Sequence, residues 1–246
     1  MTGSAPRRPP TSPTSRSAAR LLGLIAAGAC LLFGSCGGAG PVAERQPEAT
    51  PSTTESETDA VTPLGLGERD IDLRDGPVLE PVTLRIPAID LDRQILGVGM
   101  TPGAVMDAPA GPAEAPTWQQ AFWYRGSAVP GTASTALIAG HVDDPLGRPG
   151  VFARLDELRP GDQIVVHDTR NGTDARFEVT TAQSYTLDQA AEPGVLRTMY
   201  GAGPVEGRWP IRSPDGLAHL VLVTCAGTYR GATHDHRLVV RAVQVA

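Results

Sequence analysis

Cys225 is the residue of this sequence best suited to covalent chemistry. The chain has three cysteines, and Cys30 and Cys36 lie in and just after an apolar N-terminal run. Cys225 is therefore the only cysteine in the remainder, with no intramolecular disulfide partner there. In a protein routed out of the cytoplasm, that pattern marks a reactive thiol. A lone cysteine is also a common inert packing residue. Cys225 follows the apolar run Val221-Leu-Val-Thr and precedes Ala226-Gly227. The spacing predicts a strand end, where a nucleophile meets substrate at the rim of a sheet.

A thiol with a pKa of about 8.5 is mostly protonated near neutral pH and needs a base or a cation beside it. Five histidines are available. His141 ends the apolar run Thr135–Gly140, again at a predicted strand-to-loop edge, in Ala139-Gly-His-Val-Asp143. His167 closes a short run before Asp168 and reads as a surface residue; His219 lies within an apolar run and reads as a strand-face residue. His234 and His236 flank Asp235 between the last two predicted strands. Two histidines without a third ligand make a weak metal signal, so no metal and no cofactor is expected. Arg237 opens Arg237-Leu-Val-Val-Arg241. On a strand, Arg237, Val239 and Arg241 share one face. Arg237, nearer the loop after Cys225, is the better candidate for holding a carbonyl or oxyanion, and Arg241 is expected to solvate a face.

The elements that must position these residues are mostly strands. Apolar or alternating runs occupy Val82–Ile86, Ile89–Ile95, Ala121–Tyr124, Thr135–Ala139, Gln163–His167, Arg176–Thr180, Leu217–Thr224 and Leu238–Val245. Pro and Gly punctuate them. Only Val151–Leu158 and Leu187–Met199 read as helical. A mainly β fold follows, with strands enough for a closed or nearly closed barrel and short helices beside it.

Charge divides the chain. Residues 1–20 hold four Arg and no acid, and Leu21–Phe33 is apolar and followed by Gly34-Ser-Cys36-Gly-Gly. Thirteen apolar residues fit an export signal better than the ~20 a spanning helix needs. Small residues before Cys36 resemble a bacterial lipoprotein signal, which implies cleavage and lipidation at Cys36. The alternative is an uncleaved membrane anchor. Both put the rest of the chain outside the cytoplasmic membrane. Residues 37–80 are rich in Pro, Thr, Ser and Glu and cannot bury a core, so they read as a disordered spacer. Its 44 residues reach on the order of 35–40 Å as a coil. Residues 81–246 suffice for one domain. The net charge of −6 argues against a nucleic-acid partner. All 21 basic residues are arginine, which excludes Schiff-base and nucleophilic lysine chemistry within the chain.

These motifs together resemble the sortase family. Val221-Leu-Val-Thr-Cys225 is similar to its Thr-Leu-x-Thr-Cys signature, with Val221 in place of the first Thr. His141 and Arg237 match the family's His and Arg in order. Ile86-Pro-Ala-Ile89, Trp123-Tyr-Arg-Gly-Ser127, Pro130-Gly131, Ile138–Asp143 and Phe152–Asp162 extend the resemblance over most of 81–246. It is nearest to the actinobacterial class F, with a class E type second. Departures are Ala226 where that class often has Gly, and His-Asp-His-Arg before the last strand where it often has Asp-Asn. The resemblance implies an eight-stranded sortase barrel and a cysteine transpeptidase that cuts a Leu-Pro-x-Thr-Gly-like signal between Thr and Gly. Cys225 would form a thioester, His141 would move protons, Arg237 would bind oxygen, and Thr224 would help shape the site. The partners implied are surface proteins bearing the signal and an amine acceptor, such as a peptidoglycan precursor or another protein. Trp118–Tyr124 is a candidate groove segment. Two other classes remain open: another exported thiol enzyme acting on peptidoglycan, and a non-catalytic ligand-binding barrel lipoprotein. The first would need a His beside the Cys, which Thr224-Cys-Ala226 lacks if the enzyme is an L,D-transpeptidase.

Overall fold

A computed structural model describes residues 72–102 and 106–246. The signal or anchor expected over 1–36, with Cys36, and most of the expected spacer lie outside them. Eight strands, β1 Val78–Ile86, β2 Leu91–Val98, β3 Ala121–Tyr124, β4 Thr135–Gly140, β5 Gln163–Asp168, β6 Asp174–Thr186, β7 His219–Arg230 and β8 Thr233–Gln244, close into a barrel in the order β1-β2-β3-β4-β7-β8-β6-β5. β2 with β3 and β4 with β7 are parallel; the other neighbours are antiparallel. Two helices, α1 Leu187–Ala190 and α2 Pro193–Tyr200, fall between β6 and β7. Among the described residues no helix is long and apolar enough to cross a membrane.

Alternation along each strand builds two apolar layers. Inside the barrel pack Leu84, Ile86, Ile95, Trp123, Ile138, Phe177, Leu220, Leu222 and Val240, all nearly inaccessible. Outside, Leu137 of β4, Val221 of β7 and Val239 of β8 form a second cluster, against which Leu196, Met199 and Tyr200 of α2 pack. The strand that faces its odd residues inward thus presents its even ones to α2, or the reverse.

Several boundaries differ from the sequence-based expectation. Ordered backbone precedes residue 81: β1 starts at Val78, Met100 N–H donates to the Leu73 carbonyl at 2.7 Å, and Arg125 donates to the Gly76 carbonyl at 3.2 Å. Pro81 sits within β1 at the register shift between Leu79 and Thr83, the kind of position where a strand tolerates a missing N–H. Leu187–Met199 is two helices, because Pro193 forces Glu192 into an extended conformation (ψ 139°). Val151–Leu158 is turns ending in a 3₁₀ turn at Leu155–Glu157. Its first donors are used elsewhere: Val151 N–H bonds the Trp118 carbonyl at 2.8 Å and Phe152 N–H that of His141 at 2.9 Å.

Candidate active site

Cys225 is not at the end of its strand. β7 continues through polar residues to Arg230, after a register shift between Ala226 and Tyr229. What ends beside it is the parallel neighbour: Ala139 pairs with Val223, and β4 stops at Gly140. Continuing that register by two residues brings His141 alongside Cys225, one strand spacing (~4.8 Å) away in backbone terms. On the other side, Cys225 is directly paired with Arg237 of β8. His141, Cys225 and Arg237 therefore form a row across three adjacent strands. Alternation turns the row to the outer face, in line with Val223 and Val239.

Each member is held by its surroundings. The His141 ring stacks tilted on Trp118, with centroids 4.5 Å apart, and meets Phe122 edge-on at 5.4 Å. Its Nε2–H donates to the Pro109 carbonyl at 2.9 Å, so Nδ1 is the nitrogen left for proton transfer. Trp118 is fixed by its own indole bond to the Pro112 carbonyl at 2.8 Å. Thr224 points the other way and is buried; its hydroxyl donates to the Gly140 carbonyl at 2.8 Å. That bond ties β7 to β4 one residue before each of His141 and Cys225. Arg237 Nη1 donates to the carbonyl of His236 at 2.9 Å and of His234 at 3.4 Å. Among the described residues no carboxylate pairs with Arg237, and no hydrogen bond joins Cys225 to His141.

Burial pushes the Cys225 thiol up, the Arg237 guanidinium opposes that shift, and the Asp143 carboxylate adds to it. Gly227, at φ 77°, allows the chain to kink just past it: a Cβ there would stand 2.1 Å from an Asp235 oxygen and 2.5 Å from His236 Nδ1.

The row opens on a groove of about 420 Å³, lined mainly by apolar side chains that include Met106, Phe122, Leu137, Leu196, Met199 and Val223. Within Trp118–Tyr124, Phe122 lines the groove and Trp118 backs His141, whereas Trp123 is inside the barrel.

The other histidines fall elsewhere. His167 pairs with Asp174 at 2.7 Å and His219 with Asp215 at 3.0 Å, both away from the row. His234 and His236 are on β8, not in a loop between strands. His236 Nδ1 contacts Asp235 at 2.6 Å, and His234 Nε2 contacts both oxygens of Asp143 at 3.1 Å. Among the described residues no group of three or more His, Cys, Asp or Glu is arranged to hold a metal ion. Arg241 lies exposed beside a separate depression with Arg197 and Arg212. The residue that sequence reasoning passed over is Asp143, whose only signal was its place two residues after His141.

A family model described as the sortase domain matches residues 84–245. No curated protein matches the chain in sequence. Among solved structures, the lid mutant of sortase A from Corynebacterium diphtheriae is similar at 20% identity and a TM-score of 0.45, over 70% of this chain and 73% of that one. The lid mutant of sortase C1 from Streptococcus agalactiae is similar at 20% and 0.44, over 68% and 72%. A sortase D5 transpeptidase from Clostridium perfringens is similar at 17% and 0.44, over 68% and 79%.

Proposed function

This chain belongs to the sortase family of cysteine transpeptidases, and from that premise we propose that Cys225, His141 and Arg237 carry the transfer of a peptide acyl group from a Leu-Pro-x-Thr-Gly-like signal to an amine. The observation that supports this most directly is the row itself, three adjacent strands presenting thiol, imidazole and a guanidinium with no carboxylate partner among the described residues at one apolar groove. Cys225 Sγ attacks the Thr carbonyl carbon. The thiol proton reaches the leaving glycine amine by way of His141 Nδ1, the Thr–Gly bond breaks, and an acyl thioester remains. An incoming amine then attacks the same carbon, the C–S bond breaks, and the thiol is restored. Arg237 keeps N–H donors beyond those held by the two β8 carbonyls, and these stabilise the oxygen charge of each tetrahedral intermediate. Thr224 is a shaping residue that fixes the spacing of β4 and β7. The chain would work outside the cytoplasmic membrane, tethered through lipidated Cys36 or through the apolar segment as an anchor. Its donors would be surface proteins bearing the signal.

The test is to incubate the purified protein with a panel of Leu-Pro-x-Thr-Gly-type peptides, with and without triglycine, and to record intact mass and products. We expect a peptide-acyl adduct on Cys225 with at least one peptide, and a triglycine-ligated product. Alkylation of Cys225 without any acyl adduct across the panel would favour a ligand-binding barrel. Release of acid only, at every triglycine concentration, would make the protein a hydrolase.

A further inference from the structure

We infer that Asp143, held by His234 close enough to Cys225 to act on its thiol, is the anchor for the positively charged amine of the acceptor. The inference rests on the transpeptidase reading above and adds to it the chemistry that selects the nucleophile. Asp143 is two residues past His141, on the loop after β4, and His234 is three residues before Arg237 on β8. Their contact, His234 Nε2 to both carboxylate oxygens at 3.1 Å, bridges the two flanks of the row just beyond Cys225.

The contact uses a single ring nitrogen of His234. His234 is 12% exposed in its side chain, and its Nδ1 is buried with no hydrogen-bond partner among the described residues. A neutral ring donating Nε2–H to the carboxylate is compatible with that setting. A second proton on Nδ1 would be a buried donor with no acceptor, which is costly. Nor does a guanidinium neutralise Asp143: the neighbouring Arg148 is committed to Asp144, and Arg237 to backbone carbonyls. The Asp143 side chain is 34% exposed, so part of the carboxylate stays open.

Asp143 is otherwise a liability, because its charge opposes thiolate formation at Cys225. A carboxylate near enough to disfavour the thiolate is also near enough to attract a cation to the thioester carbon. Acceptor amines arrive mostly as ammonium ions near neutral pH. In the balanced step, the thioester and R–NH₃⁺ give the amide, the Cys225 thiol and one proton. The C–N bond forms as the C–S bond breaks; one nitrogen proton ends on sulfur and the other leaves through His141 to solvent. Asp143 gathers the ammonium, and His141 frees its lone pair.

The experiment compares Asp143→Asn with the unaltered protein on one sorting-type peptide, using three nucleophiles: triglycine, hydroxylamine (neutral near pH 7) and water. Asn keeps an acceptor for the His234 bond while removing the charge. Glu178→Gln, on the exposed face of β6, controls for net charge. We expect the half-saturating triglycine concentration to rise about five-fold in Asp143→Asn, the equivalent of an exposed ion pair of about 1 kcal/mol. Both amines draw on the same acyl-enzyme, so at sub-saturating amine the ratio of triglycine product to hydroxylamine product should fall by the same factor, whatever the substitution does to acylation through the Cys225 thiol. An unchanged triglycine half-saturation, or an equal loss with triglycine and hydroxylamine, would overturn the inference while leaving transpeptidation intact. Absence of any acyl adduct in the unaltered protein would instead overturn the transpeptidase reading, and the ammonium anchor with it.

Discussion

The inner and outer faces of β4, β7 and β8 are made by the same strands and obey opposite rules. Inside, Ile138, Leu222 and Val240 have no accessible surface and meet only apolar neighbours. Outside, three residues from each, stand His141, Cys225 and Arg237, all partly buried. Alternation lets one segment hold the fold and present chemistry without either compromising the other. The outer face can be half-polar because α2 covers only part of it, and the uncovered part is the groove.

That division is breakable by experiment. The largest expected effect is on the outer face: Cys225→Ala should remove turnover and acyl adduct by several powers of ten, while the melting temperature stays within a degree or two of the unaltered protein, about the effect of a neutral surface change. Leu222→Ala, one face over, should do the reverse. It should cost about 2–5 kcal/mol of stability by chemical denaturation, with kcat/KM per folded molecule retained. Large losses of both kinds in either variant would show that the faces are coupled. Arg237→Lys sharpens the outer role. If directed hydrogen bonds matter, it should lose about 2.7–4 kcal/mol of transition-state stabilisation, or 10²–10³ in rate, despite keeping its charge. Arg241→Ala, four residues farther along β8, should leave kcat/KM alone.

Smaller and directional is the pH dependence. Burial and Asp143 raise the Cys225 thiol, and Arg237 lowers it. Iodoacetamide labelling should therefore rise with pH through a midpoint above the free-thiol value of about 8.5. Asp143→Asn should move that midpoint down and Arg237→Ala should move it up; a common direction for both would contradict the charge assignments. The smallest effect concerns the β7–β8 turn, where Gly231 and Ala232 both have positive φ, 58° and 73°. Ala232→Gly should stabilise by about 0.5–1 kcal/mol, read as a higher denaturation midpoint.

Much of this was legible in the sequence, and the limits have physical causes. Leu217–Thr224 and Leu238–Val245 are readable because their inward residues must be apolar. The extension of the hairpin through Tyr229 and Thr233–His236 is held by backbone pairing and polar side-chain contacts such as Thr228 N–H to Asp235, which leaves no hydrophobic period. For that reason Cys225 was expected at a strand end, and His234 and His236 between strands. The turns at Val151–Phe152 were invisible as such, because their backbone donors go to Trp118 and His141, far away in sequence. The row was found through the residues of the sortase-like motif. Asp143 was not, since one carboxylate after a histidine carries no signal until His234 is seen opposite it.

The parallel pairing of β4 with β7 also sets an order of events for the nascent chain. The Thr224–Gly140 bond joins residues 84 positions apart, and β7 fills the gap between β4 and β8 while β8 in turn reaches β6. Closure of so long a loop is entropically expensive and is repaid only when the final hairpin inserts. Until residues 219–244 are available, β4 and β6 each present an unpaired edge to whatever else is nearby. The neighbouring of Cys225 and His141 therefore depends on a pairing between segments far apart in the chain, and so on the whole of residues 135–244 being present.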